Sequence, residues 1–586
     1  MLNEITASSN YGADIHIECS WLSKQECIYE LTVSMCEEDS RSKENPCLLF
    51  EWNIPVLDVS GIWHPKCGFD RSLKADWWDE IKTMTSISAP VVSLFGEAGG
   101  NRMTFALSEV KKEVWIKAGV HEEDGTISLN VRIPVKNFQK TQSYSLHIYI
   151  NTENIPYYSV LNKVVKWWEL EEELIPAKVP ISARMPMYST WYTFHQRVSH
   201  ALIEEECNRA KELGFETVIL DDGWQTEDCS RDYGYCGDWQ VAEKKFSSMK
   251  RHVKTVHDMG MKYMVWFSVP FIGKFSDHWK AMSDKLLCYM DKHKAGVLDL
   301  RYKEVRTYLE TIYIHAVEEW DIDGIKLDFI DEFFIRQDTP AYNEKMDFLC
   351  IQDALDCFLT EVVNKLKQIK PDIMIEFRQG YIGPNMRKFG NIFRVGDCPA
   401  SALSNRVGII DLRLLSGITA VHSDMLMWHE EEKVETAARQ LISSIFGVLQ
   451  LSVNLERQSE EMKKMLRFYI QFAKENMELL QLGTIEAIEP QNLYPVAKAT
   501  DGKSCIIALF SGDRIVEVEE EMQEITIING SEKEMVTLYF QQGQAYHICQ
   551  MDCQGNIMYH MDKEIRAGYG DFSVTVSGML KVKRVK

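Results

Sequence analysis

The chain has 586 residues, of which 45% are hydrophobic and 26% are charged, as is ordinary for a globular protein with a buried core. Its 87 acidic residues outnumber its 65 basic residues, which gives a net charge of −22 at pH 7. This excess argues against nucleic acid and anionic membranes as partners, because no positive surface is expected to hold phosphate groups. At this length we expect several domains, or one large barrel with attachments.

The chain also lacks the usual marks of a membrane or secreted protein. No stretch of about 18 uncharged apolar residues occurs, so we expect no membrane-spanning helix and no membrane partner. The first seven residues contain an acid and no apolar segment, which argues against a signal peptide. The 15 cysteines include no Cys-x-x-Cys pair, so we expect reduced thiols and a cytoplasmic protein.

Residues 1–175 are predicted to form an N-terminal antiparallel β-sandwich that ends in a linker helix. Apolar and polar residues alternate with a period of two in several runs separated by turn residues, which is typical of strands that bury one face. The runs begin at Ala13, Tyr29, Arg102, Ile127 and Tyr144. Near residue 163 the pattern changes to a helix rich in Trp and Glu, followed by a linker flanked by prolines.

Residues 176–484 are predicted to form a catalytic (β/α)8 TIM barrel. Short apolar runs alternate with amphipathic helical stretches, such as 199–213, 305–319 and 351–369. About eight β/α units in roughly 300 residues match the size and rhythm of this barrel. The apolar runs begin at Met187, Thr217, Tyr263, Gly324, Ile373, Ile392, Thr419 and Val448.

Residues 485–586 are predicted to form a C-terminal antiparallel β-domain, because alternation with a period of two returns there. Gly512-Asp-Arg and Asn529-Gly-Ser have the composition of turns between strands. The chain is therefore predicted to be a multidomain protein of the α/β plus β class, with a barrel between two β-domains.

Charged residues stand where the predicted barrel strands end. Catalytic groups of TIM barrels lie at the carboxyl ends of strands, and residues two apart in a strand share a face. One such pair alone is most simply a salt bridge or a loop cap. Gathering many charges near one axis costs desolvation energy, so we interpret them as one pocket. The strand-end residues are Asp221, Asp222, Lys326, Asp328, Glu376, Arg378, Arg394, Asp397, His422 and Asp424.

Two carboxylates on either side of a sugar are what glycosidic cleavage requires, one as nucleophile and one as proton donor. Lys326, two residues before Asp328, is suited to keep that carboxylate ionised and to bind a sugar hydroxyl. Aromatic side chains such as Trp191 and Trp224 are suited to pack on the apolar face of a pyranose ring.

These residues resemble glycoside hydrolase family 36, the α-galactosidase family, which shares a clan with family 27. The resemblance covers all three predicted regions. Its motifs are Leu220-Asp-Asp-Gly-Trp-Gln225, Gly324-Ile-Lys-Leu-Asp328, Arg394-Val-Gly-Asp397 and, more weakly, Asp424-Met-Leu426.

The resemblance implies a retaining, exo-acting α-galactosidase that hydrolyses small α-galactosides without a cofactor. Asp328 corresponds to the nucleophile and Asp397 to the acid/base, while Asp221 and Asp222 are implied to bind O4 and O6 of galactose. The remaining substrate contacts are assigned to Lys326, Arg378, Arg394 and Asp424. The chain departs from the family at Trp266-Phe-Ser-Val-Pro270 and at 376–383, which leaves the substrate open more than the retaining mechanism.

Other interpretations remain. The same barrel could carry a related retaining α-glycosidase or a transglycosylase, such as an α-N-acetylgalactosaminidase or an enzyme of the raffinose-synthase kind. A non-catalytic carbohydrate-binding protein is the third alternative, and the presence of both Asp328 and Asp397 argues against it. His422, Asp424 and His429 are spaced too loosely for a metal site, so no metal is predicted. A homo-oligomer is left open.

Overall fold

The computed structural model describes residues 5–9, 13–35, 47–134 and 143–585. Residues 1–4, on which the expectation about a signal peptide partly rests, lie outside the described residues. The chain forms an N-terminal pair of sheets, a central parallel barrel and a C-terminal β-domain, which confirms the predicted fold class. No helix within these described ranges has the length and apolar character needed to cross a bilayer. The cysteines in the same ranges are all free.

The N-terminal domain is a sandwich of two antiparallel sheets. Its strands are β1 (Thr6–Ser9), β2 (Ala13–Trp21), β3 (Glu26–Met35), β4 (Cys47–Pro55), β5 (Gly61–Trp63), β6 (Ile81–Thr83), β7 (Val91–Phe95), β8 (Asn101–Leu107), β9 (Val114–His121), β10 (Thr126–Pro134) and β11 (Ser143–Asn151). The strand orders are β1-β4-β10-β9-β6 and β2-β3-β11-β8-β7-β5. Alternate residues such as Leu31, Phe50 and Leu129 are buried in one core between the sheets, which explains the period of two in the sequence.

The central region contains the barrel and one inserted sheet. Its strands are β12 (Met187–Ser189), β13 (Thr217–Leu220), β14 (Lys262–Ser268), β15 (Phe271–Gly273), β16 (Leu286–Met290), β17 (Ala295–Leu298), β18 (Gly324–Asp328), β19 (Met374–Arg378), β20 (Ile392–Arg394), β21 (Ala420–His422) and β22 (Gln450–Leu451). Strands β15, β16 and β17 form a small antiparallel sheet that the sequence analysis did not predict. The other eight form the barrel.

All pairs of the barrel sheet are parallel, in the order β21-β20-β19-β18-β14-β13-β12-β22. The ring closes just before β22, where the backbone N–H of Val448 donates to the carbonyl of Val421 at 2.7 Å. Strands of such a barrel are buried on both faces, and this is why they read as continuous apolar runs in the sequence. All eight predicted runs correspond to barrel strands.

Helices connect and surround these strands. They are α1 (Tyr157–Leu170), α2 (Trp191–Phe194), α3 (His200–Glu212), α4 (Met249–Asp258), α5 (Trp279–Met282), α6 (Lys303–Trp320), α7 (Ile351–Ile369), α8 (Ala402–Ser416), α9 (Val434–Ser443), α10 (Glu460–Glu475) and α11 (Met477–Leu482). The stretches predicted as helical at 199–213, 305–319 and 351–369 correspond to α3, α6 and α7. Ser199 caps the start of helix α3, and its side chain accepts a hydrogen bond from the backbone N–H of Leu202.

The inside of the barrel changes from apolar to charged along the strands. An apolar cluster that includes Met374 and Ile392 fills the end where the strands begin. Two residues further along the same strands, Glu376 and Arg394 point the same way and are fully buried. The amino end is therefore a packed plug, and the charges gather toward the carboxyl end, where a pocket is expected.

The C-terminal domain consists of two sheets around their own core. Its strands are β23 (Thr484–Ile488), β24 (Val496–Thr500), β25 (Ser504–Leu509), β26 (Ile515–Val518), β27 (Glu524–Asn529), β28 (Met535–Phe540), β29 (Gln544–Met551), β30 (Ile557–Ile565), β31 (Gly568–Ser573) and β32 (Met579–Arg584). The sheet orders are β23-β24-β25-β27-β32-β29-β30 and β26-β28-β31. Most pairs are antiparallel as expected, but β25 with β27 and β26 with β28 are parallel.

A buried ionic junction joins the three regions. Arg71 of the sandwich donates to both carboxylate oxygens of Asp411 on α8, at 3.0 and 2.9 Å. Tyr494 of the C-terminal domain donates to Asp411 at 2.6 Å, and the Trp63 indole does so at 2.8 Å. A buried charge pair is costly unless every group is bonded, and here the shared carboxylate satisfies donors from two other regions.

Candidate active site

The turn after β13 holds the two adjacent aspartates, Asp221 and Asp222, both of which are buried. Their side chains diverge: Asp221 accepts from the Lys326 ammonium at 2.6 Å, whereas Asp222 accepts from the side-chain amides of Gln196 and Gln225 at 2.8 and 2.7 Å. Gly223 makes the turn possible. Its φ is +114°, and a Cβ there would stand 2.4 Å from the Cα of Gln196.

The environments of these two carboxylates differ electrostatically. Burial raises the pKa of Asp222 to about 6, and the hydrogen bonds from Gln225 and Gln196 only partly oppose this. Asp221 instead has a charged partner. Burial, the largest effect, disfavours the charge of Lys326, but the carboxylates of Asp221, Glu376 and Asp328 together outweigh it, so the pKa of Lys326 lies above its ordinary value. Asp221 and Lys326 are thus an ion pair.

Asp328 ends β18 and is surrounded by donors. One of its oxygens, Oδ1, accepts from the backbone N–H of Phe329 at 2.9 Å and from Tyr381 at 3.3 Å. The other, Oδ2, accepts from the indole N–H of Trp266 at 3.0 Å. The Nε of Arg378 lies 2.9 Å from Oδ1. Phe329 has a φ of +64°, a left-handed conformation uncommon for a bulky residue, and this backbone turn aims its N–H at the carboxylate.

These contacts keep Asp328 ionised. Burial alone would raise its pKa, but the Arg378 guanidinium, together with Lys326 and Arg394, lowers the pKa of Asp328 to about 2. The side chain is 10% exposed, with both oxygens held in place. The arrangement therefore presents a fixed carboxylate anion at a strand end, which is what a nucleophilic carboxylate requires.

Asp397 lies in the loop after β20 and is more open. Its side chain is half exposed, and Arg394 donates to its Oδ1 at 3.0 Å. Burial works to raise the pKa of Asp397, as does the negative charge of Asp328, but Arg394 and Lys326 outweigh them and the pKa lies below its ordinary value. Arg394, which binds Asp397, is paired across adjacent strands with Arg378, which contacts Asp328, so the two carboxylates lie at neighbouring strand ends.

Arg394 and Asp424 form the support for this loop. The Arg394 guanidinium donates to Oδ1 of Asp424 at 2.6 Å, and it lies 3.4 Å from Glu376. Asp424 also accepts from the Tyr192 hydroxyl at 2.9 Å and from the backbone N–H of Cys398 at 2.6 Å. Asp424 is fully buried and its oxygens are occupied, so it positions Arg394 and the Asp397 loop. Its role as a direct sugar ligand stays a prediction.

The two predicted aromatic contacts have different surroundings. Trp191 is partly exposed, and the guanidinium carbon of Arg231 lies 5.7 Å from its ring centroid. Trp224 is fully buried among Trp239 and Phe267, and its indole N–H donates to the carbonyl of Trp266 at 3.0 Å. A buried indole offers no face to a sugar, so Trp224 is a core residue and the expectation of a sugar contact is wrong.

The residues weighed as metal ligands are not gathered. His422 is buried between the carbonyl of Ala183 and the amide of Gln450, and burial lowers the pKa of its imidazole to about 3. His429 is exposed on the surface. Within residues 5–9, 13–35, 47–134 and 143–585, no group of three or more His, Cys, Asp or Glu side chains is placed to hold a metal ion.

Sequence reasoning missed one carboxylate of the site, Asp331. It lies 3.6 Å from the same Arg378 guanidinium that binds Asp328. Burial raises the pKa of Asp331 to about 6, with the Asp328 charge acting in the same direction and Arg378 opposing both. The only signal in the sequence was its position three residues after Asp328, which reads equally well as an acid in a short helical turn. Gln196, the partner of Asp222, was missed as well.

A parallel barrel with several carboxylates and cationic side chains gathered at its strand ends is the arrangement of TIM-barrel enzymes, and paired carboxylates there are compatible with cleavage of glycosidic bonds. A sequence profile described as Melibiase matches residues 166–483, which include every barrel strand. The chain belongs to the Melibiase family.

Comparisons with individual proteins agree with this assignment. The α-galactosidase Mel36A of Lactobacillus acidophilus is 24% identical over 335 residues, which are 54% of this chain and 44% of that protein. The match thus spans less than half of the length of this relative. Among solved structures, the α-galactosidase AgaA of Geobacillus stearothermophilus has a TM-score of 0.67 at 16% identity, covering 98% of this chain and 82% of its own. The α-galactosidase of Lactobacillus brevis has a TM-score of 0.67 at 13% identity, with coverages of 100% and 85%.

Proposed function

We propose that this chain is a retaining α-galactosidase that removes terminal α-galactosyl residues from small oligosaccharides. The observation that carries the proposal is the fixed, ionised carboxylate of Asp328, held by Arg378, together with the half-exposed Asp397, held by Arg394; these two arginines are paired residues of the adjacent strands β19 and β20. AgaA, which shares the fold, has been solved in complex with raffinose and with stachyose, both of which are oligosaccharides.

In the first step Asp328 would attack the anomeric carbon of the galactosyl group while the bond to the leaving oxygen breaks. Asp397 would give its proton to that oxygen, and the product is a β-linked galactosyl ester on Asp328. Hydrogen bonds from Trp266 and Phe329 hold the attacking carboxylate in one orientation, which limits the reorganisation needed to reach the transition state.

In the second step water would attack the same carbon from the face that the leaving group vacated. Asp397, now ionised, would take a proton from this water, and the ester bond to Asp328 would break. Two inversions restore the α configuration. The proton taken from water returns Asp397 to its acid form, and cleavage of the ester returns Asp328 to the carboxylate that Arg378 contacts.

Selection of galactose rests on the adjacent aspartates. Galactose differs from glucose by an axial O4, so a pocket selects it with acceptors placed on that side. Asp221 and Asp222 have different partners and point in different directions, which suits them to two different hydroxyls, O4 and O6. Loss of one charge-assisted hydrogen bond typically costs about 1.5–3 kcal/mol, roughly ten- to hundredfold in kcat/KM.

We expect the first sugar released from an aryl α-galactoside to be α-galactose. The test is a panel of p-nitrophenyl α-glycosides of galactose, glucose and N-acetylgalactosamine, with the anomer followed by NMR before mutarotation. Galactoside turnover with α-galactose formed first supports the proposal. First-formed β-galactose would contradict the retaining mechanism, and preference for N-acetylgalactosamine would favour the related glycosidase.

The low pKa of Asp397 leads to a pH prediction. A carboxyl whose pKa lies below its ordinary value is mostly deprotonated at neutral pH, so the fraction able to donate a proton grows as the pH falls. Protonation of Asp222, whose pKa is about 6, weakens galactose binding for every substrate, so the prediction is a ratio: kcat/KM on raffinose divided by kcat/KM on α-galactosyl fluoride should rise from pH 7 toward pH 4. On α-galactosyl fluoride, whose leaving group needs no proton, we expect no comparable rise.

The pH profile of kcat/KM also distinguishes the two candidates for the proton donor, Asp397 and Asp331. A rise in kcat/KM centred near pH 6 as the pH falls, seen on raffinose alone, would assign the proton to Asp331, whose pKa is about 6. A fall near pH 6 on both substrates would instead report protonation of Asp222, whose pKa is also about 6. Profiles of the same shape for both substrates would mean that the pH dependence reports on another step, and neither carboxyl would then be supported as the donor.

A further inference from the structure

One wall of a cavity beside Asp397 belongs to the N-terminal sandwich. The cavity measures about 590 Å³. Asp397 and Gln379, from the loops after β20 and β19, line it on the barrel side, and Lys66 and Phe69 line it on the sandwich side. Cavities of about 300–1,000 Å³ are the usual size for small-molecule sites, so one or two sugar rings fit this space.

We propose that this cavity binds the leaving group of the substrate, and that Phe69 is the surface on which the first leaving sugar packs. The inference rests on the proposed function. A general acid must contact the glycosidic oxygen, so the leaving group has to begin at Asp397 and extend away from Asp328. The cavity bordered by Asp397 is therefore the space into which the leaving group extends.

Phe69 has the exposure and the setting that a sugar platform needs. The side chain is 51% exposed, although the transfer of a phenylalanine side chain from water to an apolar environment is favourable in free energy. A single exposed aromatic residue is ordinary, but this one borders a cavity that contains the assigned acid. The flat C–H face of a hexose covers such a ring and removes it from water, while its hydroxyls point outward to polar groups.

Lys66 supplies such a polar group on the same loop. Its side chain is exposed and borders the cavity on the sandwich side. The backbone N–H of Ser88, a sandwich residue at the same cavity, donates to the carbonyl of Gly380 in the loop after β19 at 2.7 Å, so the sandwich packs directly against the strand end that carries Arg378. An ammonium with three donors is suited to hydroxyl oxygens of a leaving sugar. The leaving group favoured by this wall is therefore a hexose and not an alkyl or lipid chain.

The loop that carries both residues is held firmly. The Cys67 thiol, which is buried, donates to the carbonyl of His64 at 2.7 Å, and the N–H of Asp70 donates to the carbonyl of Cys67 at 2.9 Å. Arg71 then ties the end of the loop to Asp411 on α8, and Asp411 lines the same cavity. The buried junction of the three regions thus fixes the wall before the substrate arrives.

The experiment compares Phe69→Ala, Phe69→Tyr and Trp77→Ala on two substrates, raffinose and α-galactosyl fluoride. Trp77 is a matched control because it is an aromatic residue of the same domain, 71% exposed and away from the cavity. For Phe69→Ala we expect the loss of kcat/KM on raffinose to exceed the loss on α-galactosyl fluoride by about tenfold, mainly through KM. Phe69→Tyr, which keeps the ring, should restore most of the raffinose activity, and Trp77→Ala should not discriminate between the substrates.

Each other outcome has a definite meaning. Equal losses on both substrates, or no loss on either, would overturn the leaving-group site while leaving the proposed function intact. Discrimination by Trp77→Ala of the same size would also overturn it, because the effect would not be specific to the cavity. If the unaltered protein hydrolyses neither substrate, the proposed function itself fails.

Discussion

Replacing Asp328 by alanine should reduce turnover of every α-galactoside by at least about 10³-fold, because no covalent intermediate can then form. Azide should partly restore activity. It would occupy the space of the lost carboxylate and attack the anomeric carbon from the same face, so the product should be β-galactosyl azide. The measurements are kcat on an aryl α-galactoside with and without azide, and the anomer of the azide product by NMR.

Asp372→Ala is a suitable control for this experiment. Asp372 is an exposed aspartate just before β19, at the opposite end of the barrel, and its only described charge partner is the exposed Lys178. This variant should keep its activity and should not respond to azide. Turnover of Asp328→Ala close to that of the unaltered protein would remove Asp328 from the role of nucleophile.

Asp328 also illustrates what the sequence could predict. The barrel strands were predictable because parallel strands buried on both faces leave continuous apolar runs, and strand-end positions then gave Asp221, Asp222, Asp328 and Asp397. The inserted sheet β15–β17 was not predictable in this way. Its strands are short, and their apolar residues do not alternate, so nothing separates them from loop residues near the barrel.

The sequence pattern could not predict how exposed each side chain of the site is to solvent. Trp191 and Trp224 both follow barrel strands, yet one is partly exposed and the other is a core residue. Asp424 follows a barrel strand as well, and its hydrogen bonds with Arg394, Tyr192 and a backbone N–H, which support the loop of Asp397, were not visible in the sequence. Position along a strand predicts which end of the barrel a residue occupies, and only the packing around it decides whether a ligand can reach it.

Contacts between distant parts of the chain were also beyond the sequence. Arg71 and Asp411 are 340 residues apart, and no periodicity links them. The sequence around Arg71 and around Asp411 contains no motif, so it does not indicate that the two residues form a buried ion pair. The same limitation hid the wall that the sandwich contributes to the cavity at Asp397, because Lys66 and Phe69 belong to a region that the sequence predicted only as a β-domain.

The second large effect concerns the proton donor. Asp397→Ala should lower kcat/KM on raffinose by roughly 10²–10⁴-fold, the usual contribution of a general acid. With 2,4-dinitrophenyl α-galactoside the leaving group departs without a proton, so formation of the ester on Asp328 should be little affected. The second step also needs Asp397, as base, and the ester should therefore accumulate and give a burst of dinitrophenol. Azide should relieve this block and yield α-galactosyl azide, the anomer opposite to that expected for Asp328→Ala.

The variant Asp331→Ala tests whether Asp397, and not Asp331, is the proton donor. Asp331 is an aspartate near the same arginine as Asp328, and its raised pKa fits a proton donor better than that of Asp397. We nevertheless assign the proton to Asp397, because it is half exposed beside the cavity where a leaving group fits, and Arg394 holds it toward that space. Dependence on the leaving group should therefore appear in Asp397→Ala and be absent in Asp331→Ala. If raffinose and the dinitrophenyl substrate suffer equally in Asp397→Ala but differ in Asp331→Ala, the donor is Asp331, and the role of the loop after β20 is structural.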